Sequence, residues 1–264
     1  MKCLFPFASR FIAGYNLETA QPKIQELLDK GYEVTIDYVG EESKTKEDVI
    51  EATSEYFRLI STYKKTSNVS LSIKPTQIGA RIDTDLCMRQ IKSIADQAKK
   101  HNIDVRLDME ARDVIGLTIE LAIDNQIGVA LQANHPSSKL FSIILRYFKV
   151  PVRLVKGAYR GVGYYNDKRT RIMFMYLAYY LDNITIATHD EDILNNLKFH
   201  KEFEMLYGIR RDLQKKLKSD GKVVRIYVPY GSNWLPYTLR RLKEWKNLKF
   251  VVVNMVKEFF RCTK

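Results

Sequence analysis

Side chains that can do chemistry gather at one kind of place in this sequence, the C-terminal ends of short apolar runs. Val69–Lys74 (VSLSIK) ends in Lys74, directly before a proline. Ile103–Met109 (IDVRLDM) closes on Asp108 and Met109, with Glu110 next, and Ile127–Ala133 (IGVALQA) carries Gln132. Val152–Lys156 (VRLVK) holds Arg153 in its middle and continues into Gly157, Ala158 and Tyr159. Ile184–Thr188 (ITIAT) leads into His189 and Asp190. Val223–Pro229 (VVRIYVP) carries Tyr227, and the amphipathic stretch after it carries Arg240 and Arg241. Glycine and alanine after a strand let backbone approach a phosphate, and Lys156 adds positive charge there. Thr188 and His189 add donors for the same phosphates. Arg240 and Arg241 form a carboxylate clamp, because a guanidinium matches a carboxylate bidentately. Arg153 inside an apolar strand needs a partner that offsets the cost of burying charge. Asp108 and Glu110, two apart, share one strand face and are placed to pair with a buried arginine. Each feature also has a purely structural reading. Lys74 is then a solvated strand end, 156–158 a tight turn, Tyr227 a core residue, and His189 part of a helix cap with Asp190. Read together, they describe a site for a phosphate-bearing cofactor and a small anionic substrate.

The elements that would position these groups follow from the spacing. Besides the six runs above, Glu33–Val39 (EVTIDYV) and Phe203–Tyr207 (FEMLY) are short and rich in β-branched or aromatic residues. Such runs read as buried strands. Amphipathic segments lie between them: Thr45–Tyr63, Asp83–Lys100, Ile115–Asn125, Lys139–Phe148, Asp167–Leu181, Asp190–His200, Gly208–Lys218 and Leu235–Trp245. Leu17–Lys30 precedes the first strand and stops at Gly31. Eight strands alternating with eight helices predict an α/β fold, a (β/α)₈ TIM-type barrel with a short N-terminal helix. Residues 1–31 would form the N-terminal helical segment, 32–246 the barrel, and 247–264 a helical tail. An open doubly wound sheet would carry GxGxxG after the first strand, but that strand ends in Tyr38-Val39-Gly40-Glu41. Gly161–Gly163 lacks the third glycine, and no Walker A, HExxH or GxSxG motif occurs.

Composition fits a globular chain of 264 residues, 45% apolar and 28% charged. The net charge is +12, and 17 basic against 6 acidic residues from Lys198 onward place a net +11 in the last quarter. That asymmetry implies an anionic partner: substrate, cofactor phosphate, lipid headgroup or nucleic acid. Cys3, Cys87 and Cys262 are too few and too far apart for a zinc site or a disulfide framework, so three free thiols in a reducing cytoplasm are expected. No run reaches the roughly 18 apolar residues of a membrane span, and Arg10 interrupts the apolar start. The expected place is the cytoplasm, with peripheral contact at the inner face of the membrane through Phe259, Phe260 and the basic tail as a further expectation.

The segments RFIAG (10–14), LDMEAR (107–112), LQA (131–133), VRLVKGAY (152–159), ATH (187–189), MLYG (205–208) and VRIYVPYGSNWLPYTLRRLKE (224–244) resemble, in order and over nearly the whole chain, FAD-dependent proline dehydrogenase in its short monofunctional form. The resemblance implies a (β/α)₈ barrel with non-covalent FAD at its C-terminal rim. It implies oxidation of L-proline to 1-pyrroline-5-carboxylate, the first step of proline degradation to glutamate, by hydride transfer from proline C5 to flavin N5 and onward to a quinone or other acceptor. By position, Lys74, Asp108, Arg153, Tyr227, Arg240 and Arg241 would line the proline site, Asp108 and Arg153 with catalytic roles, and Leu206 would cover the ring. Met109, Gln132, Arg153, Lys156, Gly157, Ala158, Thr188 and His189 would hold FAD. Glu244 would pair with the two arginines. Glu204 stands where the family pattern leads one to expect glutamine, and Arg160 where many relatives place tryptophan against the adenine.

Two other classes compete. Another FAD-dependent barrel, such as a methylenetetrahydrofolate reductase, shares the hydride chemistry but needs a wide folate groove rather than an arginine pair sized for an amino acid. A basic nucleic-acid-binding module would exploit the cationic C-terminal quarter, yet the aromatic residues there alternate with buried strand positions.

Overall fold

A computed structural model describes residues 9–244, with side chains for residues 9–239. The strands are β1 (Glu33–Tyr38), β2 (Val69–Ile73), β3 (Asp104–Leu107), β4 (Gly128–Gln132), β5 (Val152–Val155), β6 (Ile184–Ala187), β7 (Glu202–Leu206) and β8 (Val223–Tyr230). Each pairs in parallel with its sequence neighbours, and β8 closes onto β1. This is the expected (β/α)₈ barrel, with strand limits within a residue or two of those read from sequence.

Alternation along each strand separates two environments. Ile36, Leu71, Leu107, Leu131, Leu154 and Ile226 are fully buried and form the apolar layer between barrel and helices. The other face points into the lumen, as bonds across the barrel show. The Arg106 side chain on β3 donates to Thr185 on β6, and Arg153 on β5 donates to Ser72 on β2. The lumen face reads Glu33-Thr35-Asp37 on β1, Ser70-Ser72 on β2 and Glu202-Glu204 on β7. This corrects the expectation of strands that are simply apolar. Barrels of this class usually fill their lumen with branched apolar side chains, but here charged pairs do so. At its base Arg225 bridges Glu33 and Glu202, and Arg106 also reaches Glu202, at 3.2 Å. Gly128 on β4 makes room for this layer, since a Cβ there would lie 2.8 Å from Arg106 Cγ.

The connecting helices are α2 (Lys46–Tyr63), α3 (Thr84–Lys100), α4 (Ile115–Asn125), α5 (Ser138–Tyr147), α6 (Asp167–Tyr180), α7 (Glu191–Asn196) and α8 (Arg211–Ser219), flanked by α1 (Leu17–Asp29) and α9 (Trp234–Glu244). Side-chain caps fix several starts. Thr45 and Asp48 form a reciprocal capping box for α2, and Asn16 and Thr19 do so for α1. Two helices are shorter than their periodicity predicted. α7 ends at Asn196 rather than His200, and α8 starts at Arg211 because Arg210 takes a left-handed conformation (φ 47°).

The eighth helix is also placed differently from a simple alternation. α1 packs on β1 and β8 and fills the outer wall between them. The helix after β8 goes elsewhere: Trp234 and Tyr237 of α9 pack with Ile12 and with Val39, the residue just past β1. α9 therefore starts against the C-terminal rim of the barrel, beside the end of β1. Arg240 and Arg241 lie on it, with side chains outside the described residues. The tail 247–264 and Cys3 and Cys262 also lie outside the described residues. Cys87 is a free, buried thiol that burial pushes up to about 12. No described helix is long and apolar enough to cross a membrane.

Candidate active site

Parallel strands deliver their last inward residues to one mouth, and there the lumen becomes a connected cluster of ionisable groups. Lys74, the residue after β2, is 4% exposed, so it is no solvated strand end. Its ammonium pairs with Asp37 of β1, lies 3.3 Å from Asp108 Oδ2, and donates to the Tyr227 hydroxyl at 3.4 Å. Glu41 stands 4.0 Å away. Tyr227 donates to Asp108 Oδ2 at 2.7 Å, and Ser72 Oγ donates to Asp108 Oδ1 at 2.7 Å. The same Oδ1 pairs with the Arg153 guanidinium, which lies over the Tyr227 ring with 5.1 Å from Cζ to centroid. The other end of Arg153 meets Glu204 Oε1 at 3.0 Å, and Glu204 Oε2 meets Arg106 at 3.4 Å.

Burial opposes the charge on Asp108, but Arg153 and Lys74, with the Ser72 and Tyr227 hydroxyls, outweigh it and hold the carboxyl well below its usual range. Burial would lower Lys74, yet Asp37, Tyr227 and Asp108 raise it well above its usual value, so the ammonium persists. Arg153 is raised in the same way, against burial, by Glu204 and Asp108. Burial pushes the Asp37 carboxyl upward, and the Tyr227 phenol is pushed well up by burial and Asp108. The cluster therefore holds two charged cations, Lys74 and Arg153, in place against the carboxylates of Asp37, Asp108 and Glu204.

Glu110 does not join Asp108 at an arginine. β3 ends at Leu107, and Glu110 turns aside to accept bonds from the Thr76 N–H (2.9 Å) and hydroxyl (2.7 Å), pinning the loop after β2. His189 does not cap α7; Asp190 does, accepting from the N–H groups of Asp192 and Ile193. His189 Nε2 instead accepts the Leu206 N–H at 3.0 Å and fixes the end of β7, where Leu206 stands half-buried. Thr188 is buried and accepts the Asp190 N–H at 3.2 Å.

Beside this cluster, at the ends of β4 and β5, the loops are shaped for a second occupant. Gln132 donates to the Met109 carbonyl at 2.8 Å, while its buried Oε1 has no partner among the described residues. Gly157 has φ +103°, and a Cβ there would fall 1.8 Å from Asn134 Oδ1, so only glycine fits. Lys156 pairs with Asp190, which Arg171 also holds at 2.8 Å, and Ala158 is exposed next to it. The glycine turn and Lys156 suit the phosphate of a cofactor, and the orphaned Gln132 oxygen calls for a donor such as a ring N–H of the same group. Among the described residues no cluster of His, Cys, Asp or Glu could hold a metal.

Sequence reasoning thus placed Lys74, Asp108, Arg153 and Tyr227 where the structure brings them together, and Gln132, Met109 and 156–158 on the adjoining rim. It missed Asp37, Ser72 and Arg106. Their signal was the polar residue two positions from another polar residue on an otherwise apolar strand.

A family model described as proline dehydrogenase matches residues 20–162 and 181–252. Proline dehydrogenase 1 of Bacillus subtilis (strain 168) is 31% identical over 275 residues, covering 95% of this chain and 91% of that protein. Proline dehydrogenase of Deinococcus radiodurans is 32% identical over 289 residues, covering 96% and 91%. Among solved structures, proline utilization A (PutA) from Bdellovibrio bacteriovorus, inactivated by N-propargylglycine, matches with a TM-score of 0.84 at 22% identity. That match covers 94% of this chain but 34% of the longer one, and it shows a shared fold.

Proposed function

The chain belongs to the proline dehydrogenase family, and on that premise we propose that it oxidises L-proline to 1-pyrroline-5-carboxylate with non-covalent FAD, and that a quinone takes the electrons. The observation that carries this reading is the buried cluster of Lys74, Asp108, Tyr227 and Arg153 at the barrel mouth, the end of the barrel from which β8 leads into the helix bearing Arg240 and Arg241. When bound, FAD supplies the acceptor for the hydride leaving proline C5. Gln132, Met109, Arg153, Lys156–Ala158, Thr188 and His189 are the residues that would hold it.

The remaining chemistry belongs to the chain's own residues. Lys74 with Arg240 and Arg241 binds the proline carboxylate. Charge-assisted bonds of this kind contribute about 1.5–3 kcal/mol each. Asp108 remains ionised and fixes both cations, Lys74 and Arg153, relative to one another. Tyr227 closes one side of the pocket, and Leu206 offers an apolar cover for the ring. Exclusion of water by the packed lumen keeps these electrostatic contacts strong.

The test is spectroscopic. The purified protein should show a flavin spectrum that bleaches on anaerobic addition of L-proline and not of a reduced folate. A protein without flavin absorbance, or one whose flavin ignores proline, would sink the proposal.

A further inference from the structure

Large apolar side chains are exposed mostly on one stretch of this protein. Fourteen are exposed among the described residues, and nine fall between Leu140 and Tyr179: Leu140, Ile143, Tyr147 and Phe148 at α5, Tyr159 and Val162 in the loop after β5, and Ile172, Tyr176 and Tyr179 on α6. Between Ser138 and Leu181 seven lysines and arginines are exposed against one acidic residue, Asp167; of these, Arg146 pairs with Asp182, Arg160 with Asp167, and Arg171 with Asp190 and Asp192. Cation and ring contacts tie the two helices into one face. Lys139 lies over the Tyr176 ring at 5.5 Å, and Arg146 lies over Tyr180 at 4.7 Å. Phe199, past α7, stacks on Tyr179 at 5.0 Å and extends the surface. Exposed Lys139, Lys149 and Lys168 have no carboxylate partner among the described residues. The face runs from the rim loop beside Lys156–Ala158 down the α5–α6 wall.

Exposed apolar side chains clustered on two neighbouring helices mark an interaction site. Its charge selects the partner. A second copy would set like charges against each other, whereas tyrosines and aliphatic residues interleaved with lysine and arginine suit an anionic lipid–water interface. We propose that the α5–α6 face docks the protein on an anionic bilayer, independently of the basic C-terminal tail. Docking here would bring the rim that carries the cofactor loop close to the lipid surface. It rests on the quinone reading only for its purpose, since binding does not depend on turnover.

The test is co-sedimentation of the full-length, FAD-loaded chain with vesicles of phosphatidylcholine alone or mixed equally with phosphatidylglycerol. Binding should require the anionic lipid and weaken with salt. The triple variant K139E/K149E/K168E should lower partitioning by at least about a hundredfold, since each basic group near the surface contributes about fivefold. Separately, Y147S/I172S/Y179S should lower it by about tenfold or more. Both variants should keep the wild-type thermal midpoint, and each is read by itself. Undiminished binding by folded variants of both kinds overturns the proposal. So does loss of binding in a K257E/R261E tail variant when the face variants bind normally. A concentration-dependent dimer that the face variants abolish, without vesicle binding, assigns the face to a second copy and also overturns it. Proline reduction of the flavin, measured without vesicles, separates any failure here from failure of the proposed activity.

Discussion

Glu204→Gln is a sharp probe of the charged lumen, because it removes one charge and almost no volume. Glu204 is 2% exposed and meets two guanidinium groups, Arg153 at 3.0 Å and Arg106 at 3.4 Å. Glutamine can accept from one of them, but its NH₂ must then face the other, donor against donor. Removing one partner of a buried ion pair costs about 3–5 kcal/mol when the remaining charge is left alone. Neither arginine is left alone: Arg153 keeps Asp108, and Arg106 keeps Glu202 at 3.2 Å and Thr185 at 2.8 Å. The expected loss is therefore smaller, about 2–3 kcal/mol, near the cost of one unmet charge-assisted bond. At about 2–4 °C per kcal/mol for a domain of this size, the thermal midpoint should fall by about 4–12 °C. Scanning calorimetry of the FAD-loaded protein measures it. A cycle with Arg106→Met should show coupling of about 1 kcal/mol or more, because the two side chains touch. An unchanged or raised midpoint for Glu204→Gln would refute the claim that lumen charges balance one another, and would mean that an amide serves equally well here.

Four further outcomes follow from the same geometry. Lys74→Met strands Asp37 and Asp108 without their shared ammonium and should raise the proline KM at least tenfold in steady-state assays. Arg240→Met or Arg241→Met should also raise KM at least tenfold with FAD content near normal, the loss of about 1.5–3 kcal/mol expected for a charge-assisted contact; wild-type proline binding would rule out the clamp. Gly157→Ala drives a Cβ into Asn134 at a backbone angle that disfavours alanine, so absorbance should show FAD loss while far-ultraviolet circular dichroism stays unchanged. The folded Asp108 carboxyl is depressed, so its stabilisation is complete above the unfolded value near about 4 and is lost as pH falls below it. Denaturant titrations down to pH 3 should therefore show a shallower acid loss in Asp108→Asn than in the wild type.

Much of the barrel was legible because Val, Ile and aromatic runs mark strands whether their partners are local or distant. The lumen was less legible. In β1 the sequence EVTIDY reads as an apolar run with interruptions, yet Glu33, Thr35 and Asp37 are one continuous inner face. Helices cover the outer face so completely that burial is high on both sides, and burial alone does not separate an oily environment from an ion-paired one. Arg106 was hidden for the same reason, although Gly128 across the register is the small residue that its stem requires. The place of α9 could not be read locally. Its own periodicity fits a wall helix, but α1 fills the slot on β1 and β8, and that competition is long-range. His189 was ambiguous because its neighbour Asp190 is the better cap.

The mouth formed by Lys74, Asp108 and Tyr227 is the proposed proline site. The most direct measurement is a crystal structure of the FAD-loaded protein with a proline analogue that lacks a transferable C5 hydrogen. The analogue should lie in this mouth, its carboxylate within hydrogen-bonding distance of Lys74 Nζ and its ring against Leu206. An analogue bound elsewhere, or one whose carboxylate points away from Lys74, would contradict the proposed site.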